Sequence, residues 1–296
     1  MNKKIKKIYF GIQSIIAQIH HSYQLKNATT SSQSSYVISL TSYHKRLKTL
    51  HITCESLLRQ SLPPKSIYVW LSEEDIKKSG GIPKKMKTLE SRGVVIKIKS
   101  ENIYSYKKLS YFNEIDINNI THILTADDDI IYPKYWAEKL IEKSNNDNCV
   151  SCFRGHNFEI INNCFDYNKF INNNTSENNP VFNLIPTGCS GIAYPINSLD
   201  NIILNKDLFL SLAPKADDLW YKAATLKKQY KCARVEKENI HFPILLSSIK
   251  DSLYSKNVFN NENNQQLKNI IHQFNLSTYF TNEHEKNKTN INKPTK

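Results

Sequence analysis

The chain has 296 residues, 40% of them hydrophobic, enough to bury the core of one large α/β domain or two small ones. Its 40 Lys and Arg against 27 Asp and Glu give a formal net charge of +13, a balance suited to an anionic partner such as a membrane surface, a nucleotide or a nucleic acid. The lysines are scattered and no zinc-finger, RRM or helix-turn-helix signature accompanies them, which speaks against nucleic acid, and 6 cysteines are too sparse for a disulfide-stapled secreted fold.

The opening "MNKKIKKIYFGIQSIIAQIHHSY" places Lys3, Lys4, Lys6 and Lys7 ahead of Ile5, Ile8, Ile12, Ile15, Ile16 and Ile19, which recur at helical spacing. This is an amphipathic helix with a basic head. Gln13, Ser14 and Gln18 interrupt its apolar run, so it falls short of the ~20 apolar residues a membrane span needs, and no A-x-A-like site follows it as a signal peptide requires. Its expected place is on an anionic membrane surface, the alternative being that it simply packs on the domain. "KNATTSSQSS", Lys26 to Ser35, reads as a flexible linker.

From Tyr36 strands and helices alternate. "YVISL" is a β-branched strand, "LKTLHITCESLLRQ" puts Leu47, Leu50, Cys54, Leu57 and Leu58 on one helical face, and "SIYVWLS" is the next strand after "LPP" stops that helix. "VVIKIKS" is a third strand and "THILTA" a fourth. "PKYWAEKLIEK" follows as a helix opened by Pro133, and "ADDLWYKAATLKKQY" is a later helix opened by acids. The order predicts a mostly parallel sheet flanked by helices, with the ligand site at the carboxyl ends of its strands. The expected division is a basic helix and linker over 1–35, one α/β domain over 36–245, and a C-terminal extension over 246–296 that is Asn- and Lys-rich and in part weakly ordered. Cys149 and Cys152 form a C-x-x-C with His156 and Cys164 nearby, a conceivable zinc set, although "NCVSCFRG" also reads as a buried strand.

The fourth strand ends on Asp127, Asp128 and Asp129. Three adjacent carboxylates raise one another's pKa unless a cation or hydrogen-bond donors compensate them. A divalent ion resolves the conflict, and carboxylate-only ligands favour hard ions, Mg2+ or Mn2+, which fill their remaining positions with water and phosphate oxygens. Strand alternation would put Asp127 and Asp129 on one side and Asp128 on the other. The plainer reading is an acidic helix cap, but a cap needs one acid rather than three.

"HILTADDDIIYP" resembles the DxD region of GT-A glycosyltransferases, and the resemblance extends along the chain. "YVISLTSYHKRL" is similar to the first strand and loop of bacterial family-2-like members, and "YSYKKLSYF" stands where relatives carry a lysine before the DxD strand. "IPTGCSGIAYP" resembles the Gly-rich acceptor-side segment, and "LAPKADDLWYKAA" the later acidic motif that supplies the base in inverting members, with Asp217-Asp218 where Glu-Asp is more usual. The resemblance implies a GT-A type, Rossmann-like single domain and a metal-dependent glycosyltransferase that moves a sugar from a nucleotide sugar, UDP-linked, to a surface-polysaccharide or lipopolysaccharide hydroxyl. It implies Mn2+ or Mg2+ on Asp127 and Asp129, with Thr41, Arg46, Lys108, Asp127, Asp128 and Gly191 on the nucleotide sugar. Asp218 or Asp217 would be the base. The implied partners are the donor, a glycan or glycolipid acceptor and a membrane surface, at the cytoplasmic face of a bacterial membrane.

Two rival readings exist. A haloacid-dehalogenase-like phosphatase also carries D-x-D after a strand, with a later lysine, here Lys206 or Lys215, and a later acidic pair; Ile131 and the placement on a fourth strand count against it. A non-catalytic sugar-binding module using Ca2+ would need no carboxylate such as Asp218 apart from its metal site.

Overall fold

The four runs read as strands form β1 (Tyr36–Thr41), β2 (Ile67–Ser72), β3 (Val94–Lys99) and β4 (His122–Ala126) in a computed structural model that describes residues 11–19, 28–160, 177–251 and 262–281. All four run parallel, β3 on β2, β2 on β1 and β1 on β4. The sheet continues with β8 (Ile192–Pro195), antiparallel to β4, then β5 (Val150–Cys152) and β9 (Cys232–Arg234), giving the order β3-β2-β1-β4-β8-β5-β9. A separate ribbon pairs β6 (Gly155–Asn157) with β7 (Leu184–Pro186). The result is the mixed, mostly parallel α/β sheet of the GT-A type.

Apolar residues line both faces of the inner strands because helices cover both. Along β1, Val37 joins one core and Ile38 the other. The helices Leu50–Leu58 and Trp136–Asp147 bury Leu50, Leu57, Trp136 and Leu140 on one face, and Asp217–Lys227 buries Leu219 and Trp220 on the other. Edge strand β3 reads "VVIKIK", half-exposed and Lys-bearing, which blunts edge-to-edge pairing.

The chain outside 36–245 is more integrated than its composition predicts. Thr30 and Ser31 of the expected linker donate backbone N–H to Arg92 and Pro64 carbonyls at 3.1 and 2.9 Å. In the C-terminal extension the helix Glu262–Phe274 buries Leu267, Ile270 and Ile271, and Phe280 follows them into the core. The expected tail from 282 onward lies outside the described residues, as do Lys3, Lys4, Lys6 and Lys7. Cys149 and Cys152 are buried beside β9, the "NCVSCFRG" strand reading; among the described residues no cluster of His, Cys, Asp or Glu is fit to hold a metal as it stands, and Cys164 lies outside them.

Candidate active site

Because β1 to β4 are parallel, their carboxyl ends open on one side, and the acidic run stands at the end of β4 next to the loop after β1. Its backbone is clamped from three directions. Tyr132 Oη accepts the Asp127 N–H at 2.8 Å, Thr53 Oγ1 donates to the Asp128 carbonyl at 3.0 Å, and Leu245 N–H donates to the Asp129 carbonyl at 2.7 Å.

The side chains divide differently from the alternation expected of a strand. The strand stops at Ala126 and Asp128 and Asp129 lie in a turn, so period-two geometry no longer applies. Asp127 Oδ1 meets Lys108 Nζ at 2.5 Å, while Arg46 bridges the other two, Nη1 to Asp128 Oδ1 at 2.6 Å and Nη2 to Asp129 Oδ2 at 3.1 Å. Asp128 is only 5% exposed and also accepts from Ser42 Oγ at 2.5 Å. Asp128, expected on the nucleotide sugar, anchors Arg46 and the loop after β1 through both of its oxygens.

A second acidic pair arrives from the far end of the sequence. The helix Asp217–Lys227 starts at this mouth, and Asp218 Oδ2 accepts the Gly188 N–H at 3.0 Å. Gly188 is the point where the site converges. A Cβ there would lie 3.1 Å from Asp218 Oδ1, 3.5 Å from Lys108 Nζ and 3.9 Å from Asp127 Oδ1. Gly191, the glycine expected near the sugar, gives its N–H to the Gly188 carbonyl at 2.9 Å and turns its Cβ position onto Trp136: at φ +91° that position falls 2.4 Å from the ring, so it lets β8 pass that ring. Thr41 ends β1 as expected, with its Oγ1 donating to the Trp70 carbonyl at 2.8 Å.

Asp127, Asp128, Asp129, Asp217 and Asp218 share Lys108 and Arg46, so carboxyl charge exceeds cation charge in a half-buried space. Burial, then the charges of Asp128 and Asp127, raise Asp129 to about 6 despite Arg46. Burial and the neighbouring Asp217 raise Asp218 to about 7, with Lys108 and the Gly188 N–H opposing. Burial likewise raises Asp128 and Asp217 above the usual carboxylate range. For Lys108 and Arg46 burial works against the charge, and the surrounding carboxylates outweigh it. An excess of crowded oxygen ligands suits a hard divalent cation; Asp127 and Asp129 each meet a cation through one oxygen, and Ser248 also hydrogen-bonds Asp129.

The lysines of the phosphatase reading do not reach this site: Lys206 pairs with Glu101, and Lys215 Nζ with Glu262 at 3.0 Å. Sequence reasoning missed a second polar cluster, at the end of β2. Asp75, 3% exposed, accepts from Ser72 Oγ at 2.6 Å and His44 N–H at 3.1 Å, and Asn102 Nδ2 lies 3.3 Å away. Burial opposes its charge, but the Ser72 and His44 hydrogen bonds outweigh it and hold Asp75 below the usual carboxylate range. Lys107, 1% exposed and lowered to about 8 by burial, donates to Asn102 Oδ1 at 2.7 Å. The Ser72-x-x-Asp75 spacing reads as a helix cap, which it also is.

No family model matches the sequence, and no curated protein matches it. Solved structures do match. A mannosyltransferase from Pyrobaculum calidifontis, in complex with GDP-Man and Mn2+, superposes with a TM-score of 0.50 at 10% identity over 90% of this chain and 74% of its own. S. aureus TarS 1–349 in complex with UDP-GlcNAc gives 0.43 at 12% identity over 71% of this chain and 57% of its own. At such identities the likeness to the mannosyltransferase is one of fold alone.

Proposed function

We propose that the chain is a metal-dependent glycosyltransferase that moves a sugar from a nucleotide sugar to a hydroxyl of a surface-polysaccharide or lipopolysaccharide acceptor, with inversion. The observation that carries the proposal is the convergence on Gly188, where Asp127, Lys108 and Asp218, residues from three distant parts of the chain, meet within a few ångströms of one Cβ position. In this reading a donor site and a base stand side by side, as a direct displacement requires.

The residues take separate tasks. Asp127 and Asp129 would hold Mn2+ or Mg2+, which when bound supplies Lewis-acid stabilisation to the leaving diphosphate. Lys108 adds a fixed ammonium beside Asp127, suited to a phosphate oxygen. Arg46, pinned by Asp128, keeps the loop after β1 against the acidic turn, and Thr41 borders the nucleotide at the strand end. Asp218 takes the proton of the attacking hydroxyl: with a pKa raised to about 7 it is ionised for a large part near neutrality and basic enough to accept. Asp217, the other candidate, interacts with Ser105 and Lys108 and raises Asp218 by its charge. The lack of a side chain at Gly188 lets Asp218, Lys108 and Asp127 approach one another, since a Cβ there would already stand 3.1 Å from Asp218 Oδ1.

The test is a panel of UDP-, GDP- and CMP-sugars with Mn2+, read as nucleotide release. One donor class, UDP-linked by expectation, should be turned over, and Asp129→Ala should abolish the reaction. The proposal fails if no donor is bound or hydrolysed, if Asp129→Ala keeps full turnover, or if the chain instead releases phosphate from an aryl phosphate.

A further inference from the structure

The helix over residues 11–19 rests on the domain with its small and polar side inward. Ser14 is 1% exposed, Ala17 packs on Ile52, Ile131 and Leu245, and Gln18 Oε1 accepts the Leu246 N–H at 3.1 Å. Its isoleucines face the other way: Ile12, Ile15, Ile16 and Ile19 are 50%, 43%, 62% and 54% exposed. At about 100° per residue these four cover an arc of roughly 100°, one continuous apolar stripe. Leu246, whose N–H binds Gln18 of this helix, is also 38% exposed. An amphipathic helix packed only to complete a core would present the opposite face, since burying apolar surface is the main gain of packing it. A clustered exposed apolar stripe marks an interaction surface.

Charge identifies the occupant. Residues 1–35 contain no Asp or Glu, and Lys3, Lys4, Lys6 and Lys7 lie directly ahead of the stripe in sequence. An apolar stripe with an all-basic flank matches a bilayer surface bearing anionic headgroups, where the side chains enter the acyl boundary and the lysines meet the phosphates.

We infer that the Ile12, Ile15, Ile16 and Ile19 stripe, with Leu246, is the docking face of this protein on anionic lipid, and that docking brings the acidic site to the membrane. The link is a single segment. Leu245, on which Ala17 packs, gives its N–H to the Asp129 carbonyl at 2.7 Å, and the Ile131 N–H binds the Pro243 carbonyl at 2.8 Å. The docked helix and the acidic turn are thus braced by the same residues, 243 to 246, and an acceptor carried on a lipid would reach the site from the surface to which the chain is bound. That the lipid brings an acceptor rests on the glycosyl-transfer proposal; the docking does not.

The experiment is co-sedimentation of the full chain with vesicles of equal phosphatidylglycerol and phosphatidylcholine, against phosphatidylcholine alone, without donor or metal, so that it can fail or succeed independently of turnover. Wild type should partition to the anionic vesicles only and be released by salt. The Ile15→Asp/Ile16→Asp variant should lose at least about tenfold in partition while its melting temperature and its Mn2+-dependent nucleotide binding stay those of wild type. Replacing Lys3, Lys4, Lys6 and Lys7 by Gln should also cost at least about tenfold. The inference is overturned if wild type ignores anionic vesicles, if either variant binds them as well as wild type, or if the chain is a dimer that the isoleucine variant dissociates, since the stripe would then cover a second copy.

Discussion

Asp218→Asn should abolish the proposed transfer and stabilise the fold at the same time. The carboxyl is held at about 7 against a normal value of 3.8, so the folded chain keeps a proton there that the unfolded chain releases. Between those two values the folded state binds more protons, and stability falls as pH rises, until both states are ionised above about 7. At 1.36 kcal/mol per unit the full penalty approaches about 4 kcal/mol. Asp217 shares the local charge, so about 2 kcal/mol is the expected gain from a neutral amide at pH 8, several degrees in melting temperature at roughly 2–4 °C per kcal/mol. The gain should shrink as pH drops from 7 towards 4. Nucleotide release from the productive donor should fall by about 10²–10⁴, the usual worth of a positioned general base. Thermal melts of both proteins from pH 4 to 8 and rates at pH 8 check this. An Asp218→Asn variant that melts lower than wild type at pH 8, or that keeps more than about a tenth of the rate, would refute the assignment of a destabilised base. In wild type, kcat/KM should rise to a plateau through pH ~7 as Asp218 ionises.

Arg46→Ala strands Asp128, 5% exposed, without its guanidinium, and urea unfolding should show a loss of about 3–5 kcal/mol. The two glycines should separate fold from site. Gly191→Ala forces a Cβ to 2.4 Å from Trp136 at a left-handed φ and should cost about 2–5 kcal/mol of stability. Gly188→Ala, whose Cβ would stand 3.1 Å from Asp218 Oδ1 at an ordinary backbone conformation, should lower the melt less than Gly191→Ala and lower turnover roughly tenfold or more. With Asp129 at about 6, protons compete with the metal, so Mn2+ affinity measured by calorimetry should weaken by about tenfold per unit below pH 6; a flat profile from pH 7 to 5 would remove Asp129 from the ligand set.

The parallel half of the sheet was legible because each strand is a run of five or six residues rich in strand-forming Val, Ile, Thr and aromatic or leucine side chains. The other half was not. Strands β5, β8 and β9 have three or four residues each, too few for a period, and antiparallel β8 comes between β4 and β5 by tertiary pairing alone. Within the site Asp127, Asp128 and Asp129 were legible from residue type, since three adjacent carboxylates demand a partner, whereas Lys108 and the Asp217-Asp218 pair rested on the family resemblance. The division among the three aspartates was not legible, because it depends on the strand ending at Ala126 rather than running through Asp129. "TGCSG" offered two glycines, and only backbone geometry distinguishes the one beside Asp218 from the one beside Trp136. Asp75 was concealed by serving as a cap. In the helix Glu262–Phe274, Leu267, Ile270 and Ile271 have helical spacing, but the surrounding Asn and Gln dilute it until packing supplies the rest.

The central claim, that the Asp127–Asp129 turn is a half-built cation site completed by a diphosphate, is most directly tested by thermal shift with UDP, GDP and CMP, each with and without Mn2+, on wild type and on Asp127→Asn/Asp129→Asn. The account predicts that one nucleoside diphosphate raises the melting temperature by several degrees only when Mn2+ is present, and that the double variant loses this shift. A nucleotide shift of equal size without metal, or one that survives in the double variant, would contradict it.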